Sequence, residues 1–302
     1  MSKKAIVNDM LAQLGGAGVY LQTGPFCVHL RSGLASVARG VARLYGEYPS
    51  AARRDFADFH LSVEAFPGLR RWVRPQVNFS LDGHVPFKPL PQDQAFAMFE
   101  WGLNWCVANH VHEYLIIHAA VVEKGGRAAI LPAPPGSGKS TLCAALVNRG
   151  WRLFSDELAL FSLQARNLVP VPRPVNLKNA SIDLIQAFAP EAVFGERVSD
   201  TNKGTVCHMK APGESIARAD EPATPAWIVM PRYVPEAEPD LTPRPRAQTC
   251  MDLAQNGFNF SLLAEDGFLA VAELVDRCAC YDFSYSRLDD AIRVFDELEA
   301  QL

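Results

Sequence analysis

The chain reads as α/β, with a phosphate-loop unit behind an N-terminal α+β unit. An apolar run ends in two prolines and Gly136-Ser137-Gly138-Lys139-Ser140-Thr141, then resumes at helical spacing. A glycine-rich turn between a strand and a helix is how a backbone wraps phosphate. Just before it, "YLIIHAAVV" and "RAAILPA" flank Lys124-Gly125-Gly126, a hairpin signal. Upstream of Tyr114 the rhythm differs, alternating runs being mixed with amphipathic stretches. These observations divide the chain near 112, into units 1–112 and 113–302.

Taken in order, "VYLQTGPFCVHLRSG" (19–33) is extended, and "LASVARGVARLYGEY" (34–48) carries apolar residues at helical spacing. "FADFHLSVEAF" and "RRWVRPQVNFSL" alternate like strands around a Pro67-Gly68 turn. A helix follows from Gln92 to about Asn109, with Phe96, Phe99, Leu103, Cys106 and Val107 on its inner face. After the hairpin and the loop comes a helix to about Asn148, stopped by Gly150, and then a strand, "WRLFSDELALFSL". The proline-rich "AWIVMPRYVPEAEPDLTPRP" reads as an edge strand with turns, since proline cannot donate to a ladder. The last helix opens with the capping box Ser286-Arg287-Leu288-Asp289 and buries Leu288, Ile292, Phe295 and Leu298.

The bulk properties exclude several classes of function. With 302 residues and a net charge of −4, the chain lacks the basic surplus expected of a nucleic-acid binder. Its apolar runs are too short to span a bilayer, and Asn8 and Asp9 interrupt the start where a signal peptide would need an apolar core. Seven cysteines with no C-x-x-C pair fit buried thiols in a reduced compartment and give no zinc site. The expectation is a soluble cytoplasmic protein without membrane or nucleic-acid partners.

In the loop, Ala133 stands where G-x-x-x-x-G-K-[ST] has its first glycine. The cradle covers Pro135, Gly136, Ser137, Gly138, Lys139, Ser140 and Thr141. Its donors come mainly from Gly136 onward, because Pro134 and Pro135 have no N–H. Lys139 reaches the terminal phosphates as a point charge, and the Ser140 hydroxyl is placed for Mg²⁺. Seventeen residues after Lys139, Asp156-Glu157 ends the strand-like "WRLFS". A parallel strand beside the loop strand would present a carboxylate to the metal and the γ-phosphate. Twenty-one residues before Lys139, His118 sits in an apolar run whose hairpin partner delivers the loop. A histidine there is either a satisfied core residue or a group brought to the γ-phosphate end.

His118, Lys139 and Asp156 resemble the histidine, loop lysine and first aspartate of HPr kinase/phosphorylases, with both intervals kept. The whole chain, with "EWGLNWC", "HAAVV", "LPAPPGSGKSTL", "GWRLFSDELAL" and "NLKNASIDLI", is more similar to the HPr-rel-A kinases. The resemblance implies a unit of the HPr kinase/phosphoenolpyruvate-carboxykinase type that uses ATP and Mg²⁺. It implies that Asp156 takes the proton of the attacking hydroxyl, that His118 adjusts its charge, and that Ser140, Asp156 and Glu157 serve the metal. It also implies a PqqD-like peptide chaperone and a nucleotidyltransferase-like protein as neighbours. Ala133, Pro135 and Ala119 depart from the family pattern, and the stretch "PRPVNLKNAS" replaces E-I-R-G-x-G. Reverse phosphorolysis and HPr itself as substrate are therefore not expected.

A further cation for the γ-phosphate is sought in two segments, Arg173, Lys178 and Asn179 in one, Lys203, His208 and Lys210 in the other. Arg70, Trp72 and Arg74 would share a strand face able to hold an acidic substrate, or would be an ordinary exposed face. Glu100 and Asn104, one turn apart, read as helix packing. The function expected is transfer of the γ-phosphate to a hydroxyl, serine or threonine of a peptide or small protein. A small-molecule kinase and a non-catalytic nucleotide-dependent binding or assembly protein remain open, as does a homo-oligomer.

Overall fold

The structure, a computed structural model, describes residues 2–67, 73–134 and 136–301. Two compact units emerge: Met1–Val107 with Val193–Lys210, and Ala108–Ala192 with Ala211–Leu302. The sequence suggests a single cut at 112, whereas the chain returns to the first unit for eighteen residues that include Lys203, His208 and Lys210.

The first unit opens with α1 (Lys3–Gly15), capped by Ser2, whose Oγ accepts from the Ala5 N–H at 3.3 Å. Then come β1 (Val19–Thr23), β2 (Phe26–Arg31), α2 (Ala35–Leu44), β3 (Ser50–Ala51), β4 (Phe59–Ala65), β5 (Gln76–Leu81), β6 (Leu90–Pro91) and α3 (Ala95–His110). The described strands pair in the order β3-β1-β2-β4-β5-β6. Helix α2 buries Val37, Ala38, Val41 and Leu44, the stripe its periodicity predicts. Helix α3 buries Phe99, Leu103, Cys106 and Val107, while Phe96 is half-buried. Glu100 is buried and accepts from the Tyr45 hydroxyl at 2.7 Å, a packing role as read. Arg70 and Trp72 lie outside the described residues. Arg74 lies in a bend rather than on a strand face, because pairing starts only at Gln76, beyond Pro75, which has no N–H to donate.

The second unit continues with β7 (Tyr114–Lys124), β8 (Arg127–Pro132), α4 (Lys139–Val147), β9 (Arg152–Ser155), β10 (Leu158–Ser162), β11 (Leu168–Val169), β12 (Val175–Lys178) and α5 (Ala180–Phe188). The excursion into the first unit supplies the hairpin β13 (Val198–Thr201) and β14 (Gly204–Met209). After it come α6 (Gly213–Ala217), β15 (Thr224–Tyr233), β16 (Asp240–Pro243), α7 (Arg246–Asn256), α8 (Phe260–Arg277), β17 (Ala279–Tyr285) and α9 (Leu288–Ala300). The main sheet runs β11-β10-β7-β8-β15-β17-β16, with β9 also on β7. Gly125 and Gly126 both take positive φ, +61° and +80°, so the β7–β8 turn is the primed type that matches strand twist.

Three further features differ from what the sequence predicts. The strand before Asp156 runs in the same direction as the loop strand but is not beside it. Strand β9 is antiparallel to β7, and β7 lies between β9 and β8. The proline-rich β15 is a central strand, parallel to both β8 and β17. Its prolines are tolerated because pairing with β8 shifts register at Pro225 and ends at Ile228, before Pro231. Ser286 does not cap α9; its hydroxyl donates to the Ala237 carbonyl at 2.7 Å, and the helix starts at Leu288 without a side-chain cap. Leu288, Ile292, Phe295 and Leu298 are nevertheless buried. No helix among the described residues is long and apolar enough to cross a membrane, and all seven cysteines are free thiols.

One buried ion pair fastens the end of the hairpin away from the loop. Arg152 and Glu123 are 4% and 2% exposed. Arg152 also donates to the carbonyls of Arg218 (2.8 Å) and Glu221 (3.1 Å), and Glu123 accepts from the Gly126 N–H at 2.6 Å. Removing one partner strands the other charge away from water. Arg152→Met is expected to cost about 3–5 kcal/mol in urea unfolding, with part recovered in the double variant Arg152→Met/Glu123→Leu.

Candidate active site

The loop begins where β8 ends at Pro132 and finishes at the first turn of α4. Gly136 and Gly138 adopt left-handed φ of +87° and +92°. At Gly138 the need is steric as well, since a Cβ would lie 2.6 Å from the Tyr285 hydroxyl oxygen and 3.1 Å from the Tyr233 Cβ. The loop is tied from outside: the Tyr285 hydroxyl donates to the Gly138 carbonyl at 3.1 Å, and the Tyr233 N–H to the Ser137 carbonyl at 2.9 Å. The Gly138 carbonyl also accepts the first α4 bond, from Leu142 N–H at 2.9 Å. The early N–H groups of α4 and the helix dipole, roughly half a positive charge, therefore face the loop. Pro135 lies outside the described residues.

Strand register gathers the remaining groups at this end of the sheet. Ala119 pairs with Pro132, which places His118 one residue past the start of the loop. His118 also pairs with Leu158, and Val121 pairs with Ser155, so Asp156-Glu157 falls in the gap between β9 and β10 opposite Ala119-Ala120. His118 is half-buried and stacks on Phe258, with centroids 5.5 Å apart. Phe258 is itself held to β7, its N–H donating to the Ile116 carbonyl at 2.8 Å.

Lys139 and Asp156 are 7% and 5% exposed, charged groups taken almost wholly out of water. Among the described residues Lys139 Nζ, Asp156 Oδ1 and Ser137 Oγ are buried without a hydrogen-bond partner. Burial pushes the Lys139 ammonium below its ordinary pKa, Asp156 and Glu157 oppose this, and Lys178 adds to it. Asp156 rises to about 6, first through burial and then through the neighbouring Glu157; Lys139, the Asn176 N–H and the Ser140 hydroxyl pull it down. Asn176, which no motif in the sequence marks, binds both acids. Its N–H donates to Asp156 at 3.0 Å, and its side-chain amide to Glu157 at 3.3 Å.

The other sequence candidates divide. Lys178, half-buried at the end of β12, lies close enough for its charge to act on Lys139. Arg173 is buried upstream of it, and Asn179 takes φ +52° before α5. Lys203 and Lys210 belong to the first unit, Lys203 over the Trp101 ring at 5.2 Å and Lys210 paired with Glu47. His208 is buried there, edge-on to Phe96. No group of three or more His, Cys, Asp or Glu with metal-site spacing occurs among the described residues. The donor set present, a hydroxyl and two carboxylates, suits an ion that keeps water and phosphate ligands, as Mg²⁺ does. The orphaned Lys139 Nζ and Asp156 Oδ1 fit an anion and a cation respectively.

No protein-family model and no curated protein matches the chain. Among solved structures it is similar to the Hpr(Ser) kinase/phosphatase from Coxiella burnetii at 12% identity, covering 62% of this chain and 99% of that one, with a TM-score of 0.28. A TM-score that low does not establish a common fold, and the site stands on its own geometry.

The raised Asp156 pKa has a consequence for stability. The folded state holds this proton more tightly than the unfolded chain, so the contribution is fully present below the ordinary carboxyl value of 3.8 and is lost as pH rises through about 6. The shift corresponds to roughly 3 kcal/mol. Asp156→Asn, which mimics the protonated acid, is expected to melt above wild type at pH 8 without nucleotide. Thermal melts should show the gap closing between pH 7 and pH 4.

Proposed function

We propose that the second unit is an ATP-dependent phosphotransferase that moves the γ-phosphate to a hydroxyl. The observation that carries this is the buried, unpartnered Lys139 ammonium at the loop, facing the field of a buried, partly unpartnered Asp156. The amides of Gly136, Gly138 and the first turn of α4, with Lys139, would hold the phosphates, joined by the Ser137 N–H if it leaves the Pro134 carbonyl on which it rests at 3.3 Å. Ser140, Asp156 and Glu157 would hold Mg²⁺, which when bound neutralises charge developing on the phosphate oxygens. Asp156 would accept the proton of the incoming hydroxyl, a task for which its burial beside Lys139 and its bond from the Asn176 N–H position it. His118, fixed on Phe258, would adjust the charge beside it. Lys178 is the candidate for the added cation. The acceptor proposed is serine or threonine of a peptide or small protein, with a small hydroxyl metabolite as the competing class.

The test is transfer from γ-labelled ATP with Mg²⁺ into a mixed peptide and metabolite fraction. Wild type should label an acceptor. Asp156→Asn should lose transfer by roughly 10²–10⁴-fold, the range for a positioned acid–base group, while keeping ATP affinity. Lys139→Ala should lose both. Tight ATP binding without transfer in any fraction would instead indicate a nucleotide-gated binding protein.

A further inference from the structure

At the loop end of the sheet the strands stand in the order β9, β7, β8, β15, β17. The groups suited to act on a terminal phosphate, Asp156, Glu157 and His118, all lie on the β9–β7 side of the loop strand. On the other side β15 and β17 end in Tyr233 and Tyr285, which are aligned partners in the ladder.

The two tyrosines differ in what surrounds them. Tyr285 is 1% exposed, and its hydroxyl is used on the Gly138 carbonyl. Tyr233 is 49% exposed although its position is fixed. Its N–H donates to Ser137, its Cβ crowds Gly138, and its ring sits edge-on to Tyr285 at 6.0 Å and 74°. A large aromatic side chain is thus held against the rim of the loop with about half its surface left to water. Such a ring offers a flat apolar face on which another flat ring can stack.

A nucleoside triphosphate has two chemically different ends, and the two flanks of the loop differ in the same way. From this we infer that Tyr233 is the platform on which the base of the bound nucleotide stacks. The triphosphate then runs across the loop from the β15 side toward Asp156, and the acceptor enters from the His118–Phe258 side. The inference rests on the phosphate-loop reading, which the orphaned Lys139 Nζ and Asp156 Oδ1 support independently of either tyrosine. Stacking has little preference among bases, so ATP and GTP should depend on the ring alike.

The experiment is calorimetric titration of wild type, Tyr233→Ala and Tyr233→Phe with Mg²⁺ and ATP, GTP or inorganic tripolyphosphate. Tyr233→Ala is expected to weaken both nucleotides by about tenfold or more, the scale of one base–aromatic stack, and to leave tripolyphosphate unchanged. Tyr233→Phe should behave as wild type, because the ring and not the hydroxyl makes the stack. Unchanged ATP affinity in Tyr233→Ala would overturn the inference. An equal loss for tripolyphosphate would overturn it too, showing that the ring only shapes the loop. If wild type bound neither nucleotide nor tripolyphosphate, the phosphate-loop reading itself would fail and the platform with it.

Discussion

Strand β7 is paired along both edges, and its registers set where His118, Asp156, Glu157 and the start of the glycine loop stand. One edge carries β8 from Ala119 to Lys124. The other carries β10 from Tyr114 to His118 and β9 from Val121 to Glu123. Between those two stretches the second edge is unpaired for two residues, and Asp156-Glu157 occupies that interruption. Both acids are therefore released from ladder geometry at the level where β8 turns into the glycine loop. A one-residue slip of β7 would turn His118 to the opposite face and move the acids away from Lys139. The buried Arg152–Glu123 pair at the far end of the strand opposes such a slip, since it ties β7, β9 and the Gly125-Gly126 turn together.

The loop, the hairpin and the amphipathic helices were legible because each is encoded over a few consecutive residues. Gly136 to Thr141 has a composition that few other structures require, and Lys124-Gly125-Gly126 states its turn type directly. The stripes of α2 and α9 follow from apolar spacing. Strand adjacency was not legible. The interval from Lys139 to Asp156 fixes the direction of β9 but not which strand intervenes, and His118 in "LIIHAAVV" gave no sign that its own strand would be the one. The prolines of β15 suggested an edge because proline cannot donate to a ladder, whereas pairing to β8 simply shifts or stops around them.

The partners of the loop were hidden for a related reason. Tyr285 lies 147 residues beyond Gly138, and Asn176 lies 20 residues beyond Asp156 in a stretch without the E-I-R-G-x-G pattern. Nothing local marks either residue. The crowding at Gly138, with two tyrosines within 3.1 Å of a would-be Cβ, gives the requirement for glycine there a tertiary cause that the motif alone does not reveal.

Binding phosphate and transferring it make opposite demands on nearby carboxylates. A site that only holds an anion needs amides, a helix terminus and a cation, groups of the kind present at Gly136, Gly138, Lys139 and the start of α4. Acids beside it would repel the ligand, and burying one raises the cost further, as the lift of Asp156 to about 6 records. Here two carboxylates stand next to the loop lysine, and Asn176 holds both in place. Such an arrangement disfavours simple anion binding, yet it is stabilised once a cation or a transferable proton reaches Asp156. Groups kept at a cost to the fold gather where chemistry is done. Asp156, more than the loop itself, therefore separates a phosphotransferase from a nucleotide-holding protein.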